Sequence, residues 1–342
     1  MEINKEYVLN LAKEILTIHS PSGYCKNIIA RIEEETNKYN LKFETSKKGN
    51  GIITIPGQDD SYTVGLSVHV DTLGAMVRSI SGSGEIKFTS IGGPIWATVD
   101  GEYCTVVTRE GKEFTGTFLS TSPAAHVHRD SATKDRKPET MYVRLDEVVK
   151  SKQDVLDLGI GVGDFICIDT KTQVTNNGFV KSRFLDDKIN VASIFGLIEY
   201  LDTNNIKPKH NIKVIISTFE EVGHGSSHLP SDIDELIAID MGCVGDDLTC
   251  TEYDVSICAK DSSGPYDYDM VSKFIELAKA GEIKHAVDIY PFYGSDVSAA
   301  LRGGNDIKGA LIGPGVHASH GMERTHYSGI EATIKLLIEY IK

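Results

Sequence analysis

Ser217-Thr218-Phe219-Glu220-Glu221-Val222-Gly223 decides how the rest of this chain is read. A mostly apolar, β-branched run at 212–216 leads into it, two adjacent carboxylates follow, and a glycine closes it. That order predicts a buried strand delivering two acids to its C-terminal end, where open α/β sheets place their ligands. A solvated loop is the commoner fate of a Glu-Glu pair, so the rest of the chain has to supply the reason for this one.

Outward from that stretch, buried strands alternate with amphipathic helices. Before it, Val8, Leu11, Ala12, Ile15 and Leu16 recur at helical spacing, and Ser20-Pro21-Ser22-Gly23 separates them from a second helix on Ile28, Ile29 and Ile32. Short strands are expected at Lys42–Thr45 and Gly51–Ile55, then a buried strand over 63–70 that ends in His69-Val70-Asp71. Residues i and i+2 of a strand share a face, so His69 and Asp71 are expected to point the same way. Asp186-Asp187 precedes a helix on Val191, Ile194, Phe195, Leu197, Ile198 and Leu201. One Asp there is explained by N-capping, but the second is not. Beyond the opening stretch, strands are expected at 235–240 (ending in Asp240), 254–260, 285–289 and 307–312. Helices are expected at 268–280, after Gly294-Ser295-Asp296, and at 329–341.

Between residues 74 and 175 helical periodicity nearly vanishes. Short alternating runs such as Gly84-Glu85-Ile86-Lys87-Phe88 and Phe114-Thr115-Gly116-Thr117-Phe118 replace it. Because the α/β pattern resumes afterwards, this segment reads as an inserted β domain. The expected division is 1–73 with 176–342 as a discontinuous α/β domain and 74–175 as the insert. His126, His128, Asp130 and Asp135 fall in a polar loop of the insert and are expected to be solvated.

Composition narrows the function classes. The chain has 342 residues, with 49 Asp and Glu against 35 Lys and Arg, a net charge of −14 that argues against nucleic-acid or anionic-membrane partners. Its six cysteines form no CxxC pair, as expected of reduced thiols in the cytoplasm. No apolar leader and no run of membrane-spanning length is present, which excludes the usual secretory signal from the expectation.

The strand-end and loop-end acids and histidines are His69, Asp71, Asp186, Glu220, Glu221, Asp240 and His320. Carboxylates gathered at one site repel one another unless a cation balances them. Imidazole and carboxylate without cysteine suit a hydrolytic zinc, cobalt or manganese site rather than a structural zinc. Two histidines, two aspartates and a glutamate suffice for two ions about 3.5–4 Å apart sharing one carboxylate, leaving an acid over as a general base.

At these residues the chain resembles the tetrahedral (TET-type) metallo-aminopeptidases, a family that includes glutamyl aminopeptidases. Ser20-Pro21-Ser22-Gly23, His69-Val70-Asp71, Leu185-Asp186-Asp187-Lys188, Glu220-Glu221-Val222-Gly223, Ala238-Ile239-Asp240 and the His320 segment occur in the family's order. The resemblance implies an α/β fold, a central mixed sheet flanked by helices (a zinc-peptidase-like α/β/α sandwich) with an inserted small PDZ-like β-barrel that serves dimerisation. It implies two divalent ions per subunit, Zn²⁺ or Co²⁺, one held by His69, Asp186 and Asp240, the other by Asp186, Glu221 and His320. Glu220 would be the base and Asp71 would orient His69; chemistry alone permits Glu220 and Glu221 in either order. Peptide substrates and a homo-oligomer, from dimer to hollow dodecamer, follow from the same resemblance. Three features depart from the family pattern. The closing motif reads Ala318-Ser319-His320-Gly321 instead of an aromatic-aliphatic-His-Ser/Thr sequence, with His317 and His326 as competitors. Lys188 stands where Arg is common, and Gly294-Ser295-Asp296 stands where Gly-Thr-Asp is usual. The competing functions are a di-metal carboxypeptidase or N-acyl-amino-acid deacylase, a metal-free glycosidase, and an inactive structural or binding homologue.

Overall fold

Helix α1 (Lys5–Thr17) starts where the Asn4 side chain accepts the Tyr7 N–H, and buries the expected stripe of Val8, Leu11, Ala12, Ile15 and Leu16. A computed structural model describes all residues from 1 to 342. It separates into two units, 1–71 with 171–342 and 72–170. The first unit continues with α2 (Lys26–Asn37), β1 (Lys42–Thr45), β2 (Gly51–Ile55) and β3 (Asp59–His69).

The second unit is a closed antiparallel barrel. Its strands are β4 (Gly74–Ile80), β5 (Ile86–Ile91), β6 (Tyr103–Val107), β7 (Glu113–Ser120), β8 (Met141–Leu145) and β9 (Phe165–Ile168), closed in the order β4-β5-β8-β7-β6-β9. Helix α3 (Lys152–Asp157) lies between β8 and β9. Phe88, Trp96 and Phe118 pack ring against ring in its core, with centroids 4.7–5.6 Å apart. The division falls at 71/72 and 170/171, against the expected 73/74 and 175/176. Residues 173–174 go with the first unit because β10 (Gln173–Val174) pairs with β11 (Phe179–Ser182).

The remaining elements of the first unit are α4 (Leu185–Thr203), β12 (His210–Ser217), β13 (Glu235–Ile239), β14 (Gly242–Cys243), β15 (Val255–Asp261) and β16 (Gly264–Pro265). Then come α5 (Tyr268–Ala280), β17 (His285–Ile289), α6 (Asp296–Arg302), β18 (Lys308–Val316), β19 (Glu323–His326) and α7 (Tyr327–Ile341). The large sheet runs β1-β2-β12-β3-β13-β18-β15-β16, with β17 beside β15. Its centre, β12-β3-β13-β18, is parallel, and antiparallel pairs lie to either side, so the sheet is mixed.

Period-two alternation assigns the two faces. Ile212, Val214 and Ile216 of β12, with Ile237 and Ile239 of β13, join the core built with α1, α2, α4, α5 and α7. Ile215, Leu236 and Ala238 point the other way, into a second core with Val297 and Ala300 of α6. Helix α4 is buried nearly all round instead of on one face. Gly196 permits this, since a Cβ there would stand 2.7 Å from Val8 and 3.0 Å from Ile334. β3 and β18 run furthest past their expected bounds: β3 begins at Asp59, and β18 runs on through Gly313-Pro314-Gly315 to Val316. Gly313 serves close packing, because a Cβ there would fall 1.7 Å from the Asp240 carbonyl oxygen.

Candidate metal centre

The parallel register places Ser217 of β12 opposite His69 of β3, so the chain beyond Ser217 turns beside that histidine. Glu220 and Glu221 do not alternate from the strand itself; they occupy a single 3-10 turn (Glu220–Val222) that ends at Gly223 in the left-handed region, φ +83°. The Asp71 carboxylate shapes the turn by accepting the N–H groups of Glu220 and Glu221 at 3.0 and 3.2 Å. It also accepts the Ser22 hydroxyl at 2.5 Å.

His69 is 2% exposed. Its Nδ1 lies 2.9 Å from the Asp71 backbone carbonyl and 3.6 Å from the Asp71 carboxylate. A carbonyl only accepts, so Nδ1 carries the donated proton and Nε2 is turned to the acids. Nε2 lies 3.1 Å from Asp186 Oδ1 and 3.8 Å from Glu220 Oε2. On the other side, His320 Nε2 lies 3.5 Å from Asp186 Oδ2 and 3.7 Å from Glu221 Oε2. Asp186 thus offers one oxygen to each imidazole.

Asp240 follows the end of β13, and one of its oxygens accepts the Met241 N–H. Ligand atoms of His69, Asp186 and Glu221 lie within 4.8 Å of one another, as do those of His69, Asp187 and Asp240. Asp187 nevertheless has both oxygens engaged, accepting the His69 N–H at 3.1 Å and the Asn190 amide at 2.5 Å. It reads as a buttress beneath His69. Asp186, Glu220, Glu221, Asp240 and His320 line a cleft together with Tyr293, Ser295 and Arg302, and Asp187 does not.

The competing histidines are placed elsewhere. His317 is exposed and pairs through its backbone with Arg324. His326 caps α7, accepting the Ser328 N–H at Nδ1 and contacting the Asn177 carbonyl through Nε2. Asp130 and Asp135 of the barrel loop pair with Lys134 and Lys137. Asp296 accepts the Ser67 hydroxyl and the Ser226 N–H, which makes it a strut behind the cleft.

The residues present fit cations. Glu221 Oε1 is buried and has no hydrogen-bond partner, a costly state for a carboxylate oxygen. Burial pushes Glu220 and Glu221 well above the usual carboxylate range, and nearby acids add to it. Asp240 is raised to about 7 by burial and by Asp186. Burial works against a charged His69, yet the bond to Asp186 and the surrounding carboxylates hold its pKa well above the ordinary value. Burial also opposes a charged Asp186, but the two histidines keep it below the usual range. Divalent cations bound here would replace these shared protons.

Sequence reasoning did not single out Glu323, Asn190 or Tyr293. Glu323 accepts the N–H groups of Asp186 and His320, and Tyr293 donates to the Met241 carbonyl beside Asp240. Only Glu323 carries a local signal, an acid three residues after His320.

The family model of the M42 glutamyl aminopeptidases matches residues 49–336. A relative from Bacillus subtilis (strain 168), named "Putative aminopeptidase YhfE", is 43% identical over 98% of this chain and 97% of its own length. Among solved structures, the TET aminopeptidase of a marine-sediment Thaumarchaeota archaeon aligns with TM-score 0.88 at 21% identity, covering 98% of this chain and 96% of its own. The Pyrococcus horikoshii TET1 peptidase, which can assemble into a tetrahedron or a large octahedral shell, aligns with TM-score 0.85 at 22% identity, over 98% and 99% of the two chains.

Proposed function

The chain belongs to the M42 glutamyl aminopeptidase family and is a peptide-bond hydrolase; from that premise we propose that it removes N-terminal residues from peptides at a two-ion site. His69, Asp186 and Asp240 would hold one ion, and Asp186, Glu221 and His320 the other, with zinc or cobalt suiting the donor set. The observation that carries this reading is Asp186, one carboxylate set between two imidazoles that approach its two oxygens.

Two bound divalent ions supply Lewis acidity, making a water easier to deprotonate and drawing charge from the scissile carbonyl. Glu220, on the cleft wall, takes the water's proton and returns it to the leaving amine. Asp71 holds the turn that aims Glu220, and its carbonyl fixes the His69 tautomer. The cleft wall is rich in acids, which suits the amino end of a peptide.

The test is a screen of the cobalt- or zinc-supplemented protein against aminoacyl-anilides and N-acetylated amino acids. Turnover of the anilides that chelation abolishes is the expected result. Hydrolysis of the N-acetylated amino acids alone would make it a deacylase, and a protein that binds no ion would be a non-catalytic homologue.

His320→Ala and His326→Ala separate the two histidines. The first is expected to lose one of two ions with the fold intact. The second should keep both ions and lose about 1 kcal/mol of stability with the α7 cap. Metal analysis and thermal denaturation read both, and ion loss in His326→Ala would move the ligand assignment.

The protein is further proposed to be a cytoplasmic homo-oligomer that pairs through its barrel. The assembly of the similar Pyrococcus horikoshii TET1 peptidase into a tetrahedron or a large octahedral shell supports the homo-oligomer. A monomeric mass in solution would overturn it.

A further inference from the structure

We propose that Glu323 is a positioning residue, whose carboxylate sets Asp186 and His320 at their working separation. The inference rests on the two-ion reading above and concerns what holds its two halves together.

Glu323 opens β19 and is 1% exposed. Its Oε2 accepts the Asp186 N–H at 3.0 Å, and its Oε1 accepts the His320 N–H at 2.9 Å. The two amides belong to distant stretches of chain, one at the head of α4 and the other in the loop between β18 and β19. A single side chain with two acceptor oxygens therefore ties the shared carboxylate to the histidine on its far side. No Glu323 oxygen is needed at the cleft, whose lining it does not join.

Two further observations show that this loop has to be held. His320 has φ +62°, a left-handed backbone that a non-glycine residue keeps only where its surroundings impose it. The Arg183 guanidinium donates to the Gly321 carbonyl at 3.1 Å, fixing the peptide that follows. A carboxylate is also a poor filler. Burying one beside the acidic Asp186 is unfavourable unless its oxygens are bonded, as both are here. An apolar side chain would fill the space at less cost but would leave two amides unsatisfied and the loop unanchored. Fixing the outer groups of a metal site in this way orients its ligands, and losing such a partner typically weakens metal affinity about 10–100-fold.

The test is cobalt(II) titration of the metal-free protein, followed by visible absorption, for wild type and for Glu323→Gln. Gln is isosteric but keeps one acceptor where two are needed. In the variant the first equivalent should bind within about threefold of wild type and the second about 10–100-fold more weakly, changing the second spectral step. Two steps of wild-type affinity, or equal weakening of both, overturn the proposal. Should the variant fail to fold, hydrogen exchange of the wild-type metal-free protein decides. The Asp186 and His320 amides are expected to be protected together, and rapid exchange at either overturns it. If wild type binds both ions yet cleaves no aminoacyl substrate, the functional reading fails while this one stands.

Discussion

Glu220→Gln is expected to keep both ions and to lose activity by about 10²–10⁴-fold in kcat, the contribution of a positioned general base. Gln preserves the shape of the side chain, and the turn that carries it is fixed through backbone groups. Asp71 accepts the amide protons of residues 220 and 221, not their side chains. The 3-10 turn and the neighbouring Glu221 should therefore stay in place. Glu221→Gln makes the contrast, because its carboxylate faces His320 and has a buried oxygen awaiting a partner. That variant should bind one ion fewer. Metal analysis with steady-state kinetics distinguishes the two. If Glu220→Gln retained wild-type kcat while Glu221→Gln lost activity with both ions bound, the roles would have to be exchanged.

The fold was legible because its signals are periodic. Three apolar residues at 212, 214 and 216 face one core and Ile215 the other, as strict alternation requires. The α1 and α5 stripes likewise gave their helices. The same logic located the strand-end acids and histidines, since a parallel sheet gathers the C-terminal ends of its strands. What the sequence concealed was the wiring between them. Asp71 reaches His69 most closely through its backbone carbonyl, and its carboxylate serves the Glu220 turn. Asp187, adjacent to Asp186, is spent on the His69 N–H and on Asn190. Glu323 bonds two backbone amides on separate segments. Bonds to backbone groups leave no residue type at the partner position, so no spacing announces them.

Chelating the ions is expected to make stability depend on pH in a direction opposite to ordinary acid denaturation. Asp240 in the metal-free protein is raised from 3.8 to about 7, with burial the main cause. Between those values the native state holds a proton that the unfolded chain has released, so stability falls as pH rises. His69 acts in the same sense. Held well above 6.5 despite its burial, it keeps a proton in the folded state that the unfolded chain loses. Asp186 is held below 3.8, so its favourable contribution is already complete by about pH 5 and stays constant above it. The metal-free protein should therefore lose stability, on the order of a few kcal/mol, between about pH 5 and pH 8. Bound ions take the place of those protons, so the loaded protein should be nearly flat over the window. The gap in Tm between loaded and chelated samples then widens with pH. Thermal denaturation at four pH values, with and without a chelator, measures this directly. A chelated protein that gains stability with pH in parallel with the loaded one would show that these carboxylates do not share protons, and with that the case for a cation site built on their repulsion would fall.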